Sequence, residues 1–284
     1  RCYARVGNVM SNFTDFIGGG GSASFPTIFL SKSQTWVPPQ DGNICIHVIG
    51  GGGGGKGSST SAGSGAAGGY CKKNTLAVTT SGSFTVVVGA GGAGGSGGYG
   101  GGDGGNSTVA GTGLSATLTA NGGEGAVTPN GTGNSAGGTA SNGDVNNTGG
   151  AGGPASFGGL GGAGGGAVGL TGTGQAGNSS AYTPRAGECD IIGDLWSSTM
   201  GQIAGGIAGR CIRKTTSTVP YDAVNGGPFS GGGGVLFYTG SQMLVQGGAG
   251  GIGGGGGAGV NAGDADASLG GDGGEGIVVI QYIP

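Results

Sequence analysis

Four consecutive triplets over residues 247–258, GGA GGI GGG GGA, show that the glycine of this chain is phased and not merely abundant. The same frame gives GGA GGS GGY GGG from Gly91, GGL GGA GGG from Gly158 and GGD GGE from Gly270. This period excludes an α-helix, which turns about every 3.6 residues. It matches polyproline-II geometry, which has about three residues per turn, a rise of about 3.1 Å and no internal hydrogen bonds. A GGX frame then places every side chain on one edge and leaves two edges of bare backbone that can exchange N–H to C=O bonds with neighbouring helices. Twelve residues in this form would span roughly 37 Å. The phase predicts that Gly251→Val or Gly254→Val disrupts stacking, while Ala249→Ser is tolerated.

Collagen needs glycine at every third position in one unbroken, proline-rich tract, and 84 Gly with 9 Pro in interrupted blocks does not fit. A disordered Gly/Ser linker is the competing reading of the composition. Order has a physical condition. Fixing a residue costs roughly 1–2 kcal/mol of backbone entropy, and glycine loses the most. An interhelix hydrogen bond returns about 1 kcal/mol net. A lone polyglycine helix therefore does not persist in water, and the tracts must stack together on a conventional core.

Runs rich in β-branched and aromatic residues supply that core: 43–49 (NICIHVI), 75–88 (TLAVTTSGSFTVVV), 114–120, 235–246 (VLFYTGSQMLVQ) and 276–283 (GIVVIQYI). Each reads as a strand or hairpin, with Ser81 and Gly82 as a hairpin turn inside the second run. The repeating unit is a strand followed by a glycine helix. The expected fold is all-β and irregular: a small β-strand base carrying stacked polyglycine-II helices, a glycine-rich sandwich with little or no α-helix. Residues 1–33 read as a connecting segment, and 34–284 as the glycine-rich domain with a loop insertion at 175–230.

Charge and motifs remove several function classes. Only 8% of residues are charged and the net charge is −3, whereas a nucleic-acid partner would want a basic stripe. No apolar run approaches the roughly 18 residues of a membrane span, so no membrane insertion is expected. The opening RCYARVGNVM has no initiator Met and no signal-like pattern, so the chain reads as a fragment or processed product. The single histidine, His47, alternates with Ile46 and Val48 in a strand and reads as a satisfied or surface residue. With no nucleophile, base and orienter to assemble, the chain reads as no enzyme and as needing no cofactor.

Residues 50–56 match the start of a phosphate loop, but Gly57 stands where the metal-binding hydroxyl belongs. Asp264, Asp266, Ser268, Asp272 and Glu275 have the spacing of a calcium loop, yet Leu269 occupies its glycine position, so these form only a weak calcium candidate. The five cysteines, Cys2, Cys45, Cys71, Cys189 and Cys211, lack the spacing of a zinc site. Cys45 with Cys71 and Cys189 with Cys211 are the disulfide pairs to test against free buried thiols.

The loops carry the binding chemistry. Residues 130–148 read as a polar loop without aromatic residues. The segment 175–230 instead brings Tyr182, Trp196, Tyr221 and Phe229 together with the cations Arg185 and Arg210. Aromatic faces beside cationic groups suit sugar rings and anionic glycans, through stacking and charge-assisted hydrogen bonds. These six residues are the candidate receptor-binding set; the alternative is a satellite core around Trp196, Ile191, Ile192 and Leu195.

Residues 35–55, TWVPPQDGNICIHVIGGGGGG, followed by FTVVVGAGGAGGSGGYGGGDGGNSTV at 84–109 and the closing GGDGGEGIVVIQYIP, resemble the glycine-rich domain of phage tail fibre and host-specificity proteins. The composition is also similar to that of the distal tail-fibre adhesins of T-even-like phages. That resemblance implies stacked polyglycine-II helices with receptor-reading loops at the tip. It implies a virion protein at the end of a tail fibre, attaching to a host surface receptor that is a glycan or an outer-membrane protein. The fibre shaft or other virion subunits would be its partners, as a homotrimer or a monomeric cap. Two other classes stay open, an ice-binding polyglycine-II protein and a structural extracellular filament protein without a ligand.

Overall fold

The computed structural model describes residues 26–127, 135–154, 164–166, 173–177, 212–214, 221–222, 225–226, 229–237, 244–261 and 268–284. Alternation in the FTVV run buries Phe84 and Val86 and exposes Thr85 and Val87, as in a strand with one solvated face. Two five-stranded sheets are built from such runs. The first has the order β1 (Thr27–Leu30), β17 (Ile277–Ile283), β3 (Gly42–Ile49), β5 (Tyr70–Val78), β10 (Val145–Asn147). The second runs β2 (Gln34–Trp36), β6 (Phe84–Val87), β7 (Ser107–Gly111), β8 (Leu118–Ala120), β9 (Ala140–Ser141). All their pairings are antiparallel. The sheets enclose one core of Ile44, Ile46, Val48, Val278 and Ile280 against Phe84, Val86, Val109 and Leu118. The Trp36 and Phe84 rings sit 5.4 Å apart within it.

Three sequence expectations change here. The turn at 79–82 exists, closed by the Gly82 N–H donating to Thr79 O at 2.8 Å, but β5 and β6 do not pair. The turn carries the chain from one sheet to the other, which makes a sandwich corner and not a hairpin. Within the polar loop expected at 130–148, β9 and β10 likewise belong to opposite sheets. Thr27–Leu30, inside the expected connecting segment, pairs with β17 as the edge of the first sheet.

The glycine tracts continue the strands beyond one end of this sandwich. The chain rises from β3 into 50–56, descends through 63–69 into β5, and behaves alike for the tracts attached to β6, β7, β8, β9 and β17. The hydrogen bonds repeat every third residue. N–H groups of Gly50, Gly53 and Lys56 reach the carbonyls of Gly69, Ala66 and Gly63. Those of Gly51 and Gly54 reach Gly105 and Gly102, and those of Gly52 and Gly55 reach Gly274 and Gly271. Three residues per turn, each turn facing three different neighbours, is polyglycine II.

The central tract therefore donates to three descending neighbours. It accepts from three ascending ones, through Gly92 and Gly95, Gly123 and Ala126, and Gly256 and Gly259. The six neighbours also bond to one another in a closed ring, as in Gly102 to Ala93, Gly273 to Gly92, Gly274 to Gly254, Gly65 to Gly256, Ala66 to Glu124 and Gly104 to Gly123. A tract enclosed on every side has no edge left for a side chain, which is why 50–55 is unbroken glycine. A Cβ on Gly53 would run into the Glu124 carbonyl, and one on Gly54 into that of Ala93. Tract 253–257, also unbroken glycine, is ringed in the same way. Tract 63–69, which touches both, admits only Ser64, Ala66 and Ala67.

Perimeter tracts keep the GGX frame, with X outward. Ala90, Ala93 and Ser96 are exposed while Gly89, Gly92 and Gly95 are buried, and Asp272 and Glu275 are exposed on 270–276. The long runs are not single rods, however. Run 91–102 reverses at Gly97 and Gly98, whose φ values of 59° and 88° suit glycine, and the Tyr99 N–H bonds Ser96 O across the turn at 3.0 Å. Run 247–258 reverses at Ile252 and Gly253, where φ is 68° and the Gly254 N–H bonds Gly251 O at 2.7 Å. The roughly 37 Å rod expected for those twelve residues is thus a hairpin of two shorter arms.

The near ends of this hairpin and of the 229–234 tract meet the outer face of the first sheet. Phe229 and Ile252, both at the near ends of their tracts, pack with Ile49, Tyr70, Ile277 and Val279. At the far end the tracts finish in two small parallel sheets. One is β11 (Ile212–Lys214), β13 (Val235–Phe237), β15 (Gly259–Asn261), β4 (Gly57–Ser58), and the other is β12 (Tyr221–Asp222), β14 (Val245–Gln246), β16 (Ser268–Leu269). The architecture is all-β, with no helix among the described residues.

Candidate functional site

A bundle whose interior consists of backbone bonded to backbone has its chemistry at its ends and edges. At the far end, opposite the sandwich, the chain reverses at 59–62 and 96–99. The described tracts that flank 128–134, 238–243 and 262–267 also end at that level. Tyr99 stands at the 96–99 reversal, 76% exposed, and Val127 and Leu244 are exposed at the entrances of two other connections. The Tyr99 ring is carried on a two-glycine turn between the 89–95 and 100–105 arms, which bond each other through the Gly102 and Gly105 N–H groups.

Of the candidate receptor-binding set, Tyr182, Arg185, Trp196 and Arg210 lie outside the described residues. Tyr221 begins β12, its backbone paired in parallel register with Val245 in the far-end sheet. Phe229 is placed differently from its expected surface role. It is 4% exposed, with φ of 62°, and fills the interface between its tract and the first sheet. Its ring is packing material. Tyr99, which the sequence shows only as a bulky X residue, is an aromatic side chain that faces solvent at the far end among the described residues.

Of the weak calcium candidate, Asp264 and Asp266 lie outside the described residues. Asp272 and Glu275 are X residues of successive triplets on an extended tract, which sets them about 9 Å apart along it. Asp272 Oδ1 accepts the Gly94 N–H at 2.7 Å. No group of metal-ligating side chains gathers among the described residues. The stretch resembling a phosphate loop, 50–56, is the innermost tract of the bundle, with its N–H groups already bonded to neighbouring backbone.

His47 is 2% exposed on the outer face of the first sheet. Its Nδ1 lies 2.7 Å from the Tyr70 hydroxyl oxygen and its Nε2 3.3 Å from Cys45 Sγ. Desolvation by burial, aided by the nearby Lys72 ammonium, pushes its pKa down to about 3. A ring held neutral, with a partner at each nitrogen, matches the satisfied histidine read from the sequence. Cys45 and Cys71 are both free and buried. Cys71 packs into the sandwich core and donates to Ser141 O at 3.3 Å, whereas Cys45 shares the opposite face with His47. Opposite faces of one sheet keep these thiols from pairing. Cys2, Cys189 and Cys211 lie outside the described residues.

An antiparallel sandwich continued by a polyglycine lattice, with chain reversals at its far end, defines an all-β glycine-rich scaffold. A family model described as a glycine-rich domain matches residues 28–283, and the chain belongs to that family. No curated protein matches the chain.

Proposed function

We propose that the protein is the receptor-binding tip of a phage tail fibre, attaching the virion to a glycan or an outer-membrane protein on the host surface. The observation that carries this reading is the exposed Tyr99 at a far-end reversal, held at a set height by a bundle whose central tract is enclosed by backbone on every side. Such a division lets the end vary in sequence while the scaffold stays constant, which is what recognition of diverse surfaces requires. The tail-fibre resemblance of 35–55, 84–109 and the C-terminal strand supports the same assignment. The role is binding, not catalysis. Partners are the host receptor and, at the sandwich end, the fibre shaft or other virion subunits, with a homotrimer as one arrangement. Tyr182, Arg185, Trp196 and Arg210 remain in the proposed contact set, joined by Tyr99; Phe229 does not.

The test is direct binding. Fluorescently labelled protein is titrated onto a panel of bacterial strains, with soluble surface polysaccharide or solubilised outer-membrane protein as competitor. Saturable binding to some strains, displaced by one competitor, is expected. Binding that fails to saturate, or that is equal across all strains, overturns the proposal.

A further inference from the structure

Independently of what the far end binds, we infer that acidic and amide side chains at the X positions close the polyglycine lattice sideways, standing in for the carbonyls of a further helix and so blocking association with another copy of the chain. Tract 121–127 displays the device. Its N–H groups fall in three rows. Asn121 and Glu124 donate to the carbonyls of Thr139 and Ala136, and Gly123 and Ala126 donate to those of Gly51 and Gly54. The third row, Gly122 and Gly125, has no backbone acceptor. These two N–H groups are taken by side chains of the adjacent tract, Gly122 by Asn106 Oδ1 at 2.9 Å and Gly125 by Asp103 Oδ1 at 2.8 Å. Asp103 and Asn106 are themselves three residues apart, so the capping oxygens repeat with the period of the N–H groups they cover.

The same substitution recurs elsewhere on the perimeter. The Gly94 N–H goes to Asp272 Oδ1 at 2.7 Å, that of Ala136 to Glu124 Oε2 at 2.9 Å, and that of Ala249 to Asn225 Oδ1 at 2.8 Å. Every side chain in these positions can accept, and a carboxylate accepts from an N–H more strongly than a neutral carbonyl does. A bare row of N–H groups on a straight, three-fold tract is the surface that holds successive tracts together inside the bundle. An uncapped row therefore offers a docking edge to a glycine tract of a second copy, just as an unpaired strand edge does in a sheet.

The test uses the whole chain carrying Asp103→Ala together with Asn106→Ala, followed by light scattering over a concentration series and by amide exchange at Gly122 and Gly125. Exchange at both amides is expected to rise by about tenfold or more. The scattering mass should shift with concentration to at least double that of the parent. Asp103→Asn, which keeps an acceptor, should behave as the parent in both measurements. Faster exchange with an unchanged mass would make the side chains internal bonds only and overturn the inference; so would unchanged exchange, or association of the acceptor-keeping variant. Should the double variant fail to fold, Asp272→Ala, which opens only Gly94, is held to the same two readouts and decides in the same way.

Discussion

His47 Nδ1 sits 2.7 Å from the Tyr70 hydroxyl oxygen on a sheet whose outer face is covered, so the one histidine of the chain is locked in its neutral form. Its folded pKa of about 3 lies below the usual unfolded value near 6.5. The unfolded chain binds the proton first as pH falls. Stability is thus full above about pH 6.5, declines from there toward pH 3, and has then lost on the order of 4 kcal/mol from this group. Denaturant melts across that range should show the decline, and His47→Gln should flatten it. A parent protein whose stability stays constant from about pH 7 to about pH 4 would refute the buried neutral ring.

Interior and perimeter positions of the lattice should respond oppositely to added atoms. Gly53→Ala places a Cβ against the Glu124 carbonyl and Gly254→Val places one against Ser230 O, with backbone on both sides unable to yield. Each is expected to lower stability by about 3 kcal/mol or more, judged by thermal or denaturant melts. Ala249→Ser, at a half-buried X position, and Ala93→Ser, at an exposed one, should stay within about 0.5 kcal/mol of the parent. Equal tolerance of both kinds of change would refute the packed-edge lattice.

Ile252 occupies an X position of the 247–258 triplets and docks the hairpin turn onto Ile49, Ile277 and their neighbours. Ile252→Ser removes part of a half-buried side chain, and a loss of about 1–2 kcal/mol is expected in equilibrium unfolding. The turn itself, closed through Gly251 and Gly254, should persist.

Tyr99 projects from a turn and supports no core, so Tyr99→Ala should leave the melt within about 0.5 kcal/mol of the parent. On the proposed function, the same variant should weaken cell binding. An ice-binding role would need a wide, flat face of small residues. The Ala90, Ala93 and Ser96 row is instead flanked by tracts bearing Asp103 and Asn106 on one side and Asp272 and Glu275 on the other. Nanolitre osmometry should accordingly find no thermal hysteresis; clear hysteresis would favour the ice reading.

The three-residue period was legible because perimeter tracts preserve it, and the long strands β3 and β17 and the short β6 were legible from their apolar residues. What escaped was relational. A six-glycine run looks the same in a linker as at the centre of a ring of six neighbours, since only the surrounding tracts distinguish the two. The start of β5 was hidden by Lys72, Lys73 and Asn74, whose side chains are partly or fully exposed on the sheet. The Lys73 ammonium there bonds Asp144 at 2.8 Å, beyond the reach of any local pattern. Phe229 reads as a contact residue because it is an aromatic in a loop segment, and only its packing against Ile49, Tyr70, Ile277 and Val279 shows what covers it. Tyr99 sits in the same frame position as Ala93 and Ser96, so the reversal that brings it to the tip has no mark in the triplets themselves.

The closed ring around 50–56 also makes the bundle a ruler. Inserting one triplet into that tract would shift everything above it by about 9 Å against all its neighbours at once. Length changes are therefore confined to the connections, and the distance from sandwich to far end is set collectively. Descendants of this chain can then rewrite the far end freely and still present it at the same height.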